Sequence, residues 1–175
     1  MPLVSPEVGI LIGSKSDYPL VKKVEDVFAF FGVSWEISVA SAHRTPDDVV
    51  AYVNNAPKRG IKVLVAAAGL SAALPGVIAA HTRLPVIGIP VNTGTVGGLD
   101  ALLSVAQMPP GVPVASVGID GVKNAALFAV RILALVREDL AGKLDAWSKK
   151  EEDAVRTARN DLEGAHSAPG EAFTL

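Results

Sequence analysis

The chain has no cysteine. That excludes disulfides and thiolate-bound metals, and it fits a reducing compartment, the cytoplasm being the expected one. Aromatic side chains are scarce, at 5% of 175 residues, so a core has to be assembled from Val, Ile, Leu and Ala. Charge is scarce too: 19% of residues carry one, and the formal net charge of −2 leaves no basic excess. Such a chain lacks the electrostatic footprint of a nucleic-acid binder. Histidine occurs only as His43, His81 and His166, and three scattered imidazoles with no thiol beside them predict no transition-metal site. The opening "MPLVSPEVGILIGSKSD" puts no basic residue ahead of its apolar run and does not read as a secretory signal.

One segment calls for a membrane test. Val63–Ala80 is nearly all apolar over 18 residues, close to the roughly 20 that a spanning helix needs. Gly69, Ser71, Pro75 and Gly76 interrupt it. It therefore reads as a buried strand, a tight loop and a short helix, with no membrane segment.

What the sequence does contain is small apolar residues. Half of the chain is hydrophobic and the mean hydropathy is +0.38. The length suits one domain with a full core. The aliphatic excess predicts helix faces that pack closely, across subunits as well as within one, so a homo-oligomer is expected.

The runs "VGILIG", "WEISVA", "KVLVAAAG", "PVIGIP" and "VPVASVGI" have the composition of strands buried on both faces of a parallel sheet. Helical patterns alternate with them. Leu20 to Phe31 carries apolar residues at helical spacing and stops at Gly32. Thr45-Pro46-Asp47-Asp48 opens a helix that closes near Gly60, with Thr45 as the cap and Asp48 completing a capping-box pattern. Pro75 starts a short helix, Leu99 to about Val105 forms another, and "KNAALFAVRILALV" is amphipathic. Five strands alternating with helices predict an α/β fold: a three-layer αβα sandwich around a flavodoxin-like, doubly wound parallel sheet. Residues 1–137 form the domain. Residues 138–162 read as a helix packed through Leu140, Leu144 and Trp147 on or between subunits, and 163–175 as a disordered tail.

In such a sheet, ligands bind outside the carboxyl ends of the strands. Gly13, Ser14, Ser16 and Asp17 follow the first strand, and Ser41, His43 and Arg44 follow the second. Gly69, Leu70 and Ser71 follow the third, and the loop from Asn92 to Gly98 follows the fourth. "GSKSD" brings a glycine, two serines and a helix start together, which suits a phosphate, although capping alone would account for Ser16 and Asp17. It is neither a P-loop nor a Rossmann fingerprint. Arg44 can grip a phosphate bidentately or serve a surface ion pair. His43 is the histidine at a strand end, and imidazoles as a class change charge near neutral pH, which suits proton transfer. His81 reads as a cation in a helix's last turn, and His166 as an inert tail residue. From the residues alone, the chain is a binder of a small phosphorylated ligand with one acid/base candidate.

"GSKSD", "SAHRTPD", "ALPG", "LPVIGIPV", "GLDALLSVAQMPPGVPVASVGI" and "KNAALFAVRIL", in this order and spacing, resemble the PurE family of purine biosynthesis, in its bacterial N5-carboxyaminoimidazole ribonucleotide mutase form. The likeness runs from about Val8 to Leu135. It implies a homo-octamer with active sites near subunit interfaces, no metal or organic cofactor, and an imidazole ribonucleotide as substrate. The implied reaction moves a carboxylate from the exocyclic nitrogen to ring carbon 4, by loss and recapture of CO2. On the family motif His43 is the general acid/base, Ser14, Asp17, Ser41 and Arg44 contact the nucleotide, and Gly13, Gly69 and Ser71 belong to the same site. The loop around Leu70 and the loop Asn92 to Gly98 would wall the pocket.

One position departs from that pattern. Bacterial mutases of the family carry a histidine just before Leu-Pro-Gly, where this chain has Ala73, and a small Gly-Ala pair where it has Leu70-Ser71. The CO2-dependent carboxylases of the superfamily also lack that histidine and are the alternative activity; a non-catalytic nucleotide-binding scaffold is another. A receiver-type signalling module is disfavoured, because the strands that would carry its acidic cluster and phospho-acceptor end in Gly13-Ser14 and Ala68-Gly69.

Overall fold

In the computed structural model the described residues are 5–162. The tail expected to be disordered, with His166, lies outside them. Five strands, β1 (Val8–Ile12), β2 (Trp35–Val39), β3 (Val63–Gly69), β4 (Val86–Val91) and β5 (Ala115–Ser116), form one sheet in the order β2-β1-β3-β4-β5. Every pairing is parallel. The alternating sequence leaves little choice here: a parallel strand pair needs a crossover, and right-handed crossovers put successive helices on defined faces.

The chain first steps outward from β1 to β2, then back past β1 to β3, β4 and β5. The helices accordingly change face. The helices α1 (Tyr18–Val21), α2 (Val24–Phe31) and α6 (Val122–Ala134) cover one side, and α3 (Pro46–Asn55), α4 (Leu74–Ala80) and α5 (Leu99–Ala106) cover the other. The period of two along the strands divides the core. In β3, Val63, Val65 and Ala67 face the α2/α6 layer, while Leu64, Ala66 and Ala68 face the α3/α4/α5 layer. The three-layer sandwich is as the sequence predicts, and Val63–Ala80 resolves into β3, a loop and α4. No described helix is long and apolar enough to cross a membrane.

A seventh helix, α7 (Asp139–Asp161), follows. Its first half is bolted to the domain. Trp147 packs edge-on to Phe30 and tilted on Phe31, with ring centres 5.1 and 5.6 Å apart. Lys143 Nζ donates to the Phe31 carbonyl at the end of α2 (2.8 Å). From Ser148 onward the helix is exposed.

Three local expectations are corrected. The segment Leu20–Phe31 is not one helix: Lys23 and Glu25 donate to the carbonyls three residues back, Leu20 and Lys22, so α1 ends and α2 starts afresh. The fifth strand is only Ala115–Ser116. It pairs on one side alone, Pro113 has no N–H to give, and the chain leaves the edge through the turn at Gly118–Gly121. Thr45 does occupy the cap position of α3 with Pro46 after it, but its hydroxyl makes no capping bond. It instead accepts from Ser41 N–H (3.0 Å), and Thr45 N–H goes to the Ser41 carbonyl (2.8 Å), so Asp48 closes no capping box.

Candidate active site

The reversal of winding between β1 and β3 leaves a crevice beyond their carboxyl ends, because the loops after the two strands depart to opposite faces. A cleft of about 730 Å³ lies there. Its lining draws Gly13, Ser14, Ser16 and Asp17 from the loop after β1, and Ser41, Ala42, His43 and Arg44 from the loop after β2. Gly69, Leu70, Ser71 and Ala73 come from the loop after β3, and Thr93 from the loop after β4. Every residue singled out at the first three strand ends thus lines one cleft. Of Asn92–Gly98, only Thr93 is in the lining. His81 lies elsewhere, exposed at the C-terminal end of α4.

The loops are held by their own hydrogen bonds. Gly13 N–H donates to the Ala67 carbonyl (3.2 Å), tying the end of β1 to β3. Arg44 reaches back across the mouth of the sheet, its Nη2 donating to the Gly13 carbonyl at 3.0 Å and its Nε lying 3.4 Å from Ser41 Oγ. The guanidinium is exposed, and these two contacts occupy two of its five N–H groups, so donors remain for an anion. It makes no salt bridge among the described residues, and the surface ion-pair reading of Arg44 has no partner to rest on. His43 is exposed in the same cleft.

The first loop differs from a simple helix cap. Ser14 is the capping residue of the single 3-10 turn Lys15–Asp17, its Oγ accepting from Ser16 N–H at 3.3 Å. Ser16 Oγ then donates to Ser14 Oγ (2.9 Å) and approaches Asp17 Oδ1 at 3.3 Å. The Asp17 side chain caps nothing. It is the one buried polar or charged residue among those described, 7% exposed. Burial pushes its carboxyl above the usual range, opposed by hydrogen bonding from Ser16 and from the Ser14 backbone. A buried acid held at a strand end with unused acceptor capacity is what a ligand hydroxyl or amine would satisfy.

The opposite wall contains the strained backbone. Leu70 has φ +55°, one of two non-glycine residues in the left-handed region among those described, and the residue is 55% exposed. The other is Asp120, also at φ +55°, outside the cleft. Its Oδ1 accepts from Asn92 N–H (2.9 Å) and pins the start of the loop that carries Thr93. Sequence reasoning missed Asp120, and it named Thr93 only as part of the loop Asn92–Gly98. Asp120 is distant in the chain and gives no local signal. Thr93 is marked only by Gly69, whose missing Cβ would stand 1.9 Å from Thr93 Oγ1, and that proximity exists only between neighbouring strands.

Comparison with known proteins bears on this geometry. The family profile described as AIR carboxylase matches residues 7–154. The N5-carboxyaminoimidazole ribonucleotide mutase of Thermotoga maritima is 46% identical over 158 residues, covering 90% of this chain and 92% of that protein. The enzyme of the same name from Pyrococcus abyssi is 51% identical over 142 residues, 81% of this chain and 82% of that one. Among solved structures, PurE of Treponema denticola superposes with a TM-score of 0.81 at 29% identity, over 90% of this chain and 98% of that chain.

Proposed function

The chain belongs to the AIR carboxylase family, and from that premise we propose that it is an isomerase of purine biosynthesis, converting N5-carboxyaminoimidazole ribonucleotide to 4-carboxy-5-aminoimidazole ribonucleotide. The observation that carries this reading is the cleft itself. It gathers one imidazole, His43, with Arg44, Ser14 and Asp17 and with the apolar residues at the end of β3, at the sheet's switch point.

The division of labour follows from the chemistry of each side chain. Arg44 and Ser14 bind the phosphate, the guanidinium by charge-assisted hydrogen bonds. Asp17 and Ser41 take polar groups of the nucleotide, the unsubstituted backbone at Gly13 lets the ligand lie close, and Gly69 and Ser71 line the facing wall. His43 starts protonated. The N–C bond of the carbamate breaks, its electron pair stays on nitrogen, and nitrogen takes the His43 proton as CO2 departs. Carbon 4 of the electron-rich ring then attacks CO2, and neutral His43 removes the C4 proton. Atoms and charge balance, and His43 ends as it began. The sequence requires no electron carrier and no Lewis acid, consistent with a cofactor-independent enzyme.

A homo-octamer in the cytoplasm is part of the same proposal. Val96, in the loop after β4, and Leu99 and Leu103, on α5, are each at least half exposed and support an apolar contact surface. The alternative is direct carboxylation of the aminoimidazole ribonucleotide by CO2, favoured by Ala73 on the cleft wall. Alanine can neither donate, accept nor carry charge, so its effect falls on ligand positioning, while the proton-transfer group and anion grip remain. The two activities separate when each substrate is supplied alone, with and without bicarbonate, and the C4-carboxylated product is followed. Turnover of the N-carboxylated substrate without bicarbonate is expected; turnover only from the uncarboxylated ribonucleotide plus CO2 would overturn the mutase assignment. His43→Asn should keep the fold and lose about 10²–10⁴ in rate or more. Near-normal activity in that variant would place the proton transfer on another group.

A further inference from the structure

Leu70 is a bulky residue in a conformation that L-residues avoid. With φ +55°, it bears a steric strain that a glycine at the same position would not. Nor does burial compensate, since more than half of its surface is open to solvent. An exposed leucine contributes little to the core and usually tolerates replacement. Strain of this kind persists at sites where the side chain's position matters.

That position is specific. Leu70 lines the cleft alongside Ala68, Gly69, Ala73 and Leu74, an apolar end formed where β3 runs into α4. Its Cδ2 reaches the loop after β4: a Cβ on Gly94 would stand 2.8 Å from it. The contact exists because residue 94 has no side chain. The loop it touches is anchored one side by Asp120, through Asn92, and the backbone after Leu70 is locked by Ala72 N–H on the Leu70 carbonyl (2.8 Å). Two loops from adjacent strands, already close at Gly69 and Thr93, thus meet again through the Leu70 side chain on the cleft wall.

We propose that Leu70 is a specificity-determining residue that closes the apolar end of the cleft over the carboxyl group in transit. It sets how much released CO2 is recaptured at carbon 4 and how much escapes. The inference rests on the carboxyl shift proposed above. CO2 is uncharged and offers only weak acceptors, so hydrogen-bonding residues hold it poorly. An apolar cover that excludes water and blocks exit holds it sterically. Ala73, on the same wall, is too small to do so, and Leu70 crosses to Gly94 instead.

The test measures partition. With the N-carboxylated ribonucleotide as sole substrate, the amounts of C4-carboxylated and of uncarboxylated ribonucleotide are followed above the spontaneous background. Leu70→Gly and Leu70→Ala should each release severalfold more uncarboxylated ribonucleotide per product formed, and saturating bicarbonate should restore product. Leu70→Met, which keeps an apolar chain of similar reach, should partition like the parent protein. Leu70→Gly should also melt no lower than Leu70→Ala, because glycine relieves the left-handed strain that alanine retains. Unchanged partition in both truncations, with the parent protein active, would overturn the role of Leu70. Inactivity of the parent protein on this substrate would instead overturn the mutase reading, so the two failures are distinguishable.

Discussion

The pairing of Gly69 with Thr93 gives the sharpest quantitative test of how the cleft floor is built. Gly69 ends β3 and is paired with Val91, the last residue of β4. A Cβ added there would stand 1.9 Å from Thr93 Oγ1, 3.1 Å from Thr93 Cβ and 3.2 Å from the Val91 carbonyl. The first distance is far inside contact, and the other two are tight. Rotating Thr93 about χ1 can clear the hydroxyl, but the contacts with its Cβ and with backbone remain, so the two strand ends must also part. Overpacking of this kind costs about 1–3 kcal/mol. For a chain of this size that corresponds to a loss of roughly 2–4 °C in Tm per kcal/mol. Thr93→Ala alone should cost little, because Thr93 Oγ1 is buried with no hydrogen-bond partner among the described residues and its removal relieves an unsatisfied group. Gly69→Ala combined with Thr93→Ala should therefore be more stable than the sum of the single changes, by about 0.5 kcal/mol or more. Urea unfolding at fixed protein concentration, monitored by circular dichroism, measures all four proteins. If Gly69→Ala matched the parent protein, or if the two changes simply added, the close approach of these loops would be refuted.

Asp17 and Arg44 make opposite predictions about stability and binding. Because burial raises the Asp17 carboxyl, the native state binds its proton more readily than the unfolded chain. Ionised Asp17 therefore costs stability at neutral pH, and that cost is relieved as pH falls through the native value toward the unfolded one, near 3.9. Asp17→Asn should be at least as stable as the parent at pH 7, with the difference shrinking as the solution is acidified, while ribonucleotide binding weakens; a variant clearly less stable at pH 7 would contradict this. Arg44→Ala should weaken ribonucleotide binding by roughly tenfold to a few hundredfold, the equivalent of about 1.5–3 kcal/mol for a charge-assisted bond. Calorimetry showing unchanged affinity would make Arg44 a brace for the Gly13 carbonyl only.

The fold was legible because a doubly wound sheet writes itself locally. Apolar runs without alternation signal strands buried on both faces, and the helical patterns between them leave right-handed crossovers as the connection. Gly32 illustrates this: it stops α2 at φ +65°, and glycine is the residue that takes that conformation without strain. The edge was less legible. "VPVASVGI" has the composition of a full strand, yet only Ala115–Ser116 pairs, since composition does not say how many neighbours a strand will find.

The site divided in the same way. That the residues after each strand would converge follows from sequence order once the sheet is parallel, and it put His43, Arg44, Ser14 and Asp17 in one cleft. Which of them would be buried, strained or braced was decided in three dimensions. The sequence could name Asp17 as a cap, but only the packing around the 3-10 turn buries it and leaves it without a capping bond. Strand order marked Gly69, Leu70 and the loop holding Thr93 and Gly94 as candidates, but not that they touch. Their relation arises where the ends of β3 and β4 lie side by side, because parallel neighbours bring together residues about two dozen positions apart, and steric contact at that range has no local periodicity to announce it.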